Sequence, residues 1–452
     1  MPCALALLAE TVFTDLLAAR LQMAFTLGAH IILACLGVGM PLLLLYAEGR
    51  FLRTGDELWR ILAQRWAKAF AVLFAVGAVS GTVLSFELGL LWPNFMGTFG
   101  AVIGLPFTLE GFAFFLEAIF VGIYVYGWDR LSPRVHWLTG FPIALSGLAS
   151  AWFVVTANAW MNCPRGFTLQ DGVVVDADPI AAMLNPATGA QTTHMILAAY
   201  MVTGFVVAAY YAWERLRGRD DRYQRRAMAL GLALAVLCTP AQIAVGDWAA
   251  RVVAATQPVK LAAMEGQFPT EAGAPLRIGG WPDQQARRTR YAIEIPGMLS
   301  WLAYGDVNAV VRGLNEFPPE DTPPVAVVHW AFQIMVGIGL LLLALSGWVV
   351  GALFRNKRLP SSRSFLWAVV ASGPLAICAM QAGWVVTEVG RQPWIVQGVM
   401  RTAEAVTEVP GIRWMFAASL AIYALLGIGV VVVLRLLARV PLPQMAETAN
   451  GA

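Results

Sequence analysis

Charge is what this sequence has least of. Only 13% of its 452 residues are Asp, Glu, Lys or Arg, where soluble domains carry roughly 25%. A soluble chain of this length could not solvate its surface with so few. The net charge of +3 is too small for a nucleic-acid binder. Histidine is scarce as well, with four in the chain. The five cysteines, Cys3, Cys35, Cys163, Cys238 and Cys378, show no C-x-x-C spacing, and three of them lie inside apolar runs. That pattern excludes a disulfide framework and a zinc site and reads as small buried hydrophobes. There is no internal repeat and no low-complexity segment. The first residues include Glu10 and Asp15 but no early Lys or Arg, so the N-terminus does not read as a cleavable signal peptide.

What is abundant is apolar sequence: 58% of residues are hydrophobic and the mean hydropathy is +0.65. A transmembrane helix needs about 20 mostly apolar residues. Nine stretches qualify, at about 22–46, 67–92, 101–127, 136–162, 191–214, 226–250, 325–354, 365–390 and 412–438. Trp92, Trp128, Trp160, Trp248 and Trp394 lie at their ends, as expected where amphipathic rings meet the membrane interface. Basic residues follow the first, third, fifth and seventh stretches: Arg50 to Lys68, Arg130 and Arg134, Arg215 to Arg226, and Arg355 to Arg363. The segment 93–100 has none and 163–190 has only Arg165. The positive-inside rule then predicts an all-α integral membrane protein with nine spans, the N-terminus outside and the C-terminus inside. Three regions follow: spans one to six over 1–250, one long outer loop over 251–324, and spans seven to nine over 325–452. The middle of the loop, "QPVKLAAMEGQF", reads as a short helix carrying Lys260 and Glu265.

Ionisable side chains inside a bilayer are costly and mark function by default. Here they are His30, Glu87, Glu110, Glu117, His194 and Glu388, with the soft thioether of Met335 beside them. At about 1.5 Å per residue, His30, His194, Met335 and Glu388 all fall in the outer half of the membrane or near its middle. Each has a plainer reading: packing histidines, a core methionine, an ion pair of Glu388 with Arg391, and Gly390 with Pro393 as a helix stop. Their shared depth points instead to axial ligands of haem iron. Glu110 and Glu117 are seven residues apart, two turns on one helix face. Stacked membrane carboxylates suggest a proton relay; the plainer reading has them bonded to polar neighbours. His136 and His329 lie near span ends and have no obvious partner.

The motifs "RLQMAFTLGAH", "SGTVLSFELG", "EGFAFFLEAIFVGIYVYGWDRL", "ANAWM", "QPVKLAAMEG", "AFQIMVG" and "GWVVTEVGRQPW", in this order, resemble subunit I of cytochrome bd-type quinol oxidases over nearly the whole chain. The resemblance implies His194 and Met335 as axial ligands of a low-spin haem b. It implies His30 and Glu388 as ligands of two high-spin haems, one haem b and one haem d or a third haem b in its place. Lys260 and Glu265 would lie at the quinol site, Glu110 and Glu117 on the proton path, Trp384 between the haems, and Arg391 and Asn158 close to propionates. Implied partners are a second large membrane subunit (subunit II), with a small single-helix subunit as a further candidate, and the expected location is the bacterial inner membrane. Gln333 stands where some relatives have Arg, Cys163 departs from the common pattern, and the outer loop is of the shorter type; these details resemble the cyanide-insensitive branch. The expected activity is quinol oxidation at the outer side and oxygen reduction to water with protons from inside, without pumping. Two other readings stay open on the residues alone: a quinol-oxidising cytochrome with another acceptor, and a proton-coupled transporter.

Overall fold

The computed structural model describes residues 14–440; Cys3 and Glu10 lie outside them. Among the described residues nine helices are long and apolar enough to cross a membrane. They are α1 Asp15–Thr54, α2 Glu57–Leu91, α3 Pro93–Tyr126, α4 Pro133–Asn162, α5 Thr188–Leu216, α6 Arg222–Thr256, α7 Val325–Asn356, α8 Arg363–Val389 and α9 Ile412–Arg439. Most outrun their apolar stretches, and a polar side-chain cap starts α1, α2, α6 and α8. Thr14 caps α1 through its hydroxyl, and Gly55, with φ 66°, closes it. Asp56 caps α2, and Asp221 caps α6. The segment 93–100, expected as a loop, belongs to α3. Only Trp92 separates α2 from α3, and Pro93 sits at the first helical position, where its missing N–H costs nothing.

The turns between α1 and α2, α5 and α6, and α7 and α8 converge at one end. There Asp56 pairs with Arg226 at 2.6 Å and Arg222 at 3.2 Å, and Arg215 reaches Ser361 at 3.2 Å. The opposite end carries the long loop. Its helix Pro258–Glu265 forms as expected. The remainder of the loop, read as polar from sequence, adds a hairpin to the helical bundle: strand β1 (Leu276–Asp283) pairs antiparallel with β2 (Arg288–Ile295), from Leu276 opposite Ile295 to Asp283 opposite Arg288. Asp283 accepts the Ala286 amide at 2.8 Å to close the turn. The hairpin sits on α7: Gln333 donates to Arg277 O at 2.9 Å and accepts from Gly279 N at 3.2 Å.

Helices in lipid gain little from burying apolar faces and associate through close backbone approach. The α5–α6 crossing shows this. A Cβ on Gly204 would lie 2.6 Å from Ala235 N and 2.7 Å from Gly231 O, with Ala208 on the same seam. We expect Gly204→Ala to destabilise the fold by about 1–3 kcal/mol through overpacking, seen as a lower unfolding temperature of the detergent-solubilised protein. An unchanged temperature would mean the helices can part without cost.

Candidate functional site

The sequence-predicted residues fall into three groups. At the loop-bearing end, α8 stops at Val389 and Arg391 folds back on Glu388 at 2.6 Å. Asn158, on α4, donates to the other oxygen of Glu388. Asn162, one turn on, donates to Asn158 O at 2.9 Å and accepts from Lys260 Nζ at 2.5 Å. A continuous chain Lys260–Asn162–Asn158–Glu388–Arg391 thus ties the loop helix to α4 and α8. Glycine suits position 390, since a Cβ there would strike the Val386 carbonyl oxygen and also crowd Lys260 Cγ at 3.2 Å. Arg391 is 3% exposed, and its Nε and Nη1 have no partner among the described residues. Gln392 joins Pro393 through a cis bond and accepts from Arg20 at 2.8 Å and Thr402 at 2.9 Å.

Both loop-helix candidates are buried, and burial acts oppositely on the two charges. Burial, reinforced by the Arg391 charge, brings the Lys260 ammonium down to about 7. Burial pushes the Glu265 carboxyl up to about 8, against the pull of Arg277. Glu265 Oε2 has no partner among the described residues.

The second group lies deeper. His30 (α1) bonds Ser80 Oγ (α2) through Nδ1 at 2.8 Å. Ser80 spends its own proton on Gly77 O at 2.9 Å, so it accepts from Nδ1–H and leaves His30 Nε2 an unprotonated donor of electrons. Gly81 gives the ring its space; a Cβ there would lie 3.1 Å from Cε1. His194 (α5) packs against Gly246 on α6, whose Cβ would lie 3.3 Å from its Cε1, and meets the amide of Gln242 at 3.1 Å. Met335 (α7) sets its sulfur against Gly383 (α8), where a Cβ would lie 3.0 Å away, next in sequence to Trp384. No hydrogen bond among the described residues joins His30 to Glu388. Glu87 is satisfied, accepting from Gln22 at 2.8 Å and Thr26 at 2.5 Å.

The third group is the α3 face. Glu110 accepts from Ser150 (α4) at 2.9 Å. Glu117, 5% exposed, lies over Gly147 of α4, where a Cβ would come within 3.2 Å of its Oε1.

These residues fit haem. Among the described residues no three His, Cys, Asp or Glu gather as a metal cluster. Single donors on separate helices suit iron whose in-plane donors come from a macrocycle. His30 presents a free lone pair, a glycine lies against each of His30, His194 and Met335, and the two Arg391 nitrogens without a partner among the described residues can take a propionate. Sequence reading missed Asn162, Ser80 and Gln242, which carry no ionisable signal. It also left His136 and His329 without partners, and the structure corrects this. His136 meets Glu48 at 2.6 Å, and His329 bonds Met264 O at 2.8 Å and Gly279 O at 2.9 Å, clasping the loop helix and the hairpin together.

The chain matches the family model described as "Cytochrome bd terminal oxidase subunit I" over residues 18–441. It is 39% identical to the "Putative cytochrome bd menaquinol oxidase subunit I" of Bacillus subtilis (strain 168), covering 93% of this chain and 96% of that protein. It is 30% identical to the "Cytochrome bd-II ubiquinol oxidase subunit 1" of Escherichia coli (strain K12), covering 85% and 88%. A solved structure, "The structure of bd oxidase from Geobacillus thermodenitrificans", superposes with TM-score 0.89 at 41% identity, over 94% of this chain and 99% of that one.

Asn162→Leu removes the acceptor of a buried ammonium and should cost about 1–3 kcal/mol of stability. Thermal unfolding checks this, and Asn162→Asp should retain the bond. Equal unfolding temperatures for wild type and Asn162→Leu would show that the chain from Lys260 to Arg391 does not hold the loop.

Proposed function

This chain belongs to the cytochrome bd terminal oxidase subunit I family, and on that premise we propose which of its residues perform the family's reaction. It is a multi-pass membrane subunit of a respiratory quinol:oxygen oxidoreductase, with haem cofactors and quinol as substrate. His194 and Met335 hold a low-spin haem b. His30 and Glu388 hold the two high-spin haems, a haem b and a haem d or third haem b. Bound haem supplies the electron transfer and the oxygen chemistry.

The observation that carries the reading is the buried chain from Lys260 to Arg391, which links the loop to the carboxylate end of α8. Quinol docks at the loop helix, where Lys260 and Glu265 bind its oxygens and Glu265 takes its proton. Arg391 and Asn158 hold Glu388 in place and face the propionates; Trp384 packs between the haems. Glu110 and Glu117 pass protons along α3. The basic ends of the helices face the inside of a bacterial inner membrane, so quinol protons leave outside and consumed protons come from inside. A second large membrane subunit completes the enzyme, with a small single-helix subunit as a further partner. The family assignment supports oxygen as acceptor over the plain cytochrome and the transporter. A pyridine haemochrome spectrum with quinol-driven oxygen consumption tests the whole reading; a preparation without haem, or without oxygen uptake, overturns it.

His194→Leu and Met335→Leu should each abolish the low-spin haem spectrum, because His194 and Met335 are the two side chains that would hold that haem. An unchanged spectrum in both variants would refute the ligand pair.

A carboxyl that titrates near pH 8 accepts quinol protons only once ionised. Turnover with excess quinol should therefore rise as pH increases through about 8. Glu265→Gln should lower turnover at least tenfold and lose this rise; a variant that keeps the wild-type pH profile would show that Glu265 is not the acceptor.

A further inference from the structure

One buried ionisable cluster takes no part in the reading above. Glu48 on α1, Tyr124 on α3 and His136 on α4 are 2%, 1% and 2% exposed. Tyr124 donates its hydroxyl to Glu48 Oε2 at 2.7 Å, and His136 Nδ1 meets Glu48 Oε1 at 2.6 Å. His136 Nε2 meets Tyr124 O at 2.8 Å. No other ionisable side chain hydrogen-bonds to the three among the described residues. The protons can be placed from these partners. A carbonyl oxygen only accepts, so Nε2 carries a hydrogen. Nδ1 faces a carboxylate oxygen across 2.6 Å, and two lone pairs cannot face each other at that distance. One further proton therefore sits between Nδ1 and Oε1, on the ring or on the carboxyl. The cluster stores one transferable proton without an unpaired charge, the arrangement a buried charge requires.

Its position matters more than its chemistry. Tyr124 follows Glu117 by seven residues and Glu110 by fourteen, so all three lie on one face of α3. α4 runs antiparallel and presents small residues to that face. Ser150 bonds Glu110, Gly147 faces Glu117, and Gly140 packs on Leu45 of α1, where a Cβ would lie 2.8 Å from its Cδ2 and 3.5 Å from the Tyr124 ring. The gap between Tyr124 and Glu117 is about 10 Å along the axis, too far for a direct transfer. Ser146 Oγ, on the α4 stretch beside this gap, is 4% exposed and has no partner among the described residues, so it offers a donor and an acceptor to a bridging water. At its other side His136 packs against Trp128, with ring centroids 4.1 Å apart and the rings tilted by 39°. The turn continues with exposed Asp129 and Arg130 at the basic end of the bundle. The cluster is thus one indole away from water at the end where protons must enter.

We propose that Glu48, His136 and Tyr124 form the proton-loading station of this subunit, feeding Glu117 and then Glu110 through the α3–α4 seam. The Nδ1–Oε1 proton leaves through the Tyr124 hydroxyl and bridging water to the Glu117 carboxylate. A proton from the inner aqueous phase replaces it, so each cycle moves one proton and no electrons. The proposal rests on the α3 proton path, and the test separates the two.

The test uses the purified, haem-loaded oxidase complex and the variants Glu48→Gln, Glu48→Asp, Tyr124→Phe and Glu117→Gln. It measures oxygen consumption per haem from pH 6 to 9, anaerobic reduction of the low-spin haem by quinol, and haem content. Glu48→Gln should lower turnover at least tenfold while haem content and quinol reduction stay at wild-type levels. Glu48→Asp should recover part of the loss. Tyr124→Phe should slow turnover severalfold and flatten or reverse the wild-type rise with pH, as proton supply becomes limiting. Wild-type turnover per haem in Glu48→Gln across this range overturns the proposal. If Glu48→Gln fails to assemble, Tyr124→Phe decides, because it deletes one hydroxyl; a wild-type pH profile there overturns the proposal. Slow Glu117→Gln beside normal Glu48→Gln sinks the station and leaves the α3 path standing. Normal Glu117→Gln sinks the path and the station with it.

Discussion

A hydrocarbon core offers no water to a polar group, so every hydrogen bond within the span must be supplied by the chain itself or by what it binds. The structure follows from meeting that constraint. The backbone of the described residues meets it by running as nine long helices. The few polar side chains meet it by pairing across helix seams: Glu87 takes Gln22 and Thr26, Glu110 takes Ser150, and Glu48 takes Tyr124 and His136. Pairing is not complete everywhere: among the described residues two nitrogens of Arg391 and one oxygen of Glu265, at the expected propionate and quinol positions, have no partner, and neither do side-chain atoms of Gln22, Gln191, Gln242 and Gln257.

The same constraint explains how the loop communicates with the bundle. Lys260 is a buried cation on a short helix at the membrane surface. Its ammonium is satisfied by Asn162 and the Thr387 carbonyl, on two different spans. His329 and Gln333 clasp the other side of the loop to α7, two positions from Met335 in the case of Gln333. A change at the loop helix is therefore felt at α4, α7 and α8, the helices that carry Asn158, Met335 and Glu388.

How much of this was legible in the sequence depended on range. All nine spans could be read, because hydropathy is a local signal. Their ends could not, since caps such as Thr14, Asp56 and Asp221 decide them. The Glu388–Arg391 pair is three residues apart and was visible at once. Glu48 and His136 are 88 positions apart. Glu48 precedes Arg50 near a basic turn and looks like a surface charge at a helix end, so nothing local marks it as buried. The β1–β2 hairpin was missed because its run of residues 288–295 alternates inside a loop already read as polar. Ser80, Asn162 and Gln242 are neutral, and only their contacts reveal that they set the orientation of His30, Lys260 and His194.

Glycine serves two opposed purposes in this bundle, and the atom that a Cβ would meet tells them apart. At the α5–α6 crossing it would strike backbone atoms of the facing helix. There glycine permits dry, close contact, and the gain is dispersion and helix association. On α4 the atom that a Cβ on Gly147 would meet is a carboxylate oxygen of Glu117. Packing would favour a larger residue at that position, because an unfilled seam forfeits contact energy. Keeping it small beside an acidic side chain makes sense if the carboxylate must retain room for water and for movement. The two seams are built from the same residue under different demands: one holds the bundle together, and the other leaves room beside a buried carboxylate, as the proposed proton path requires.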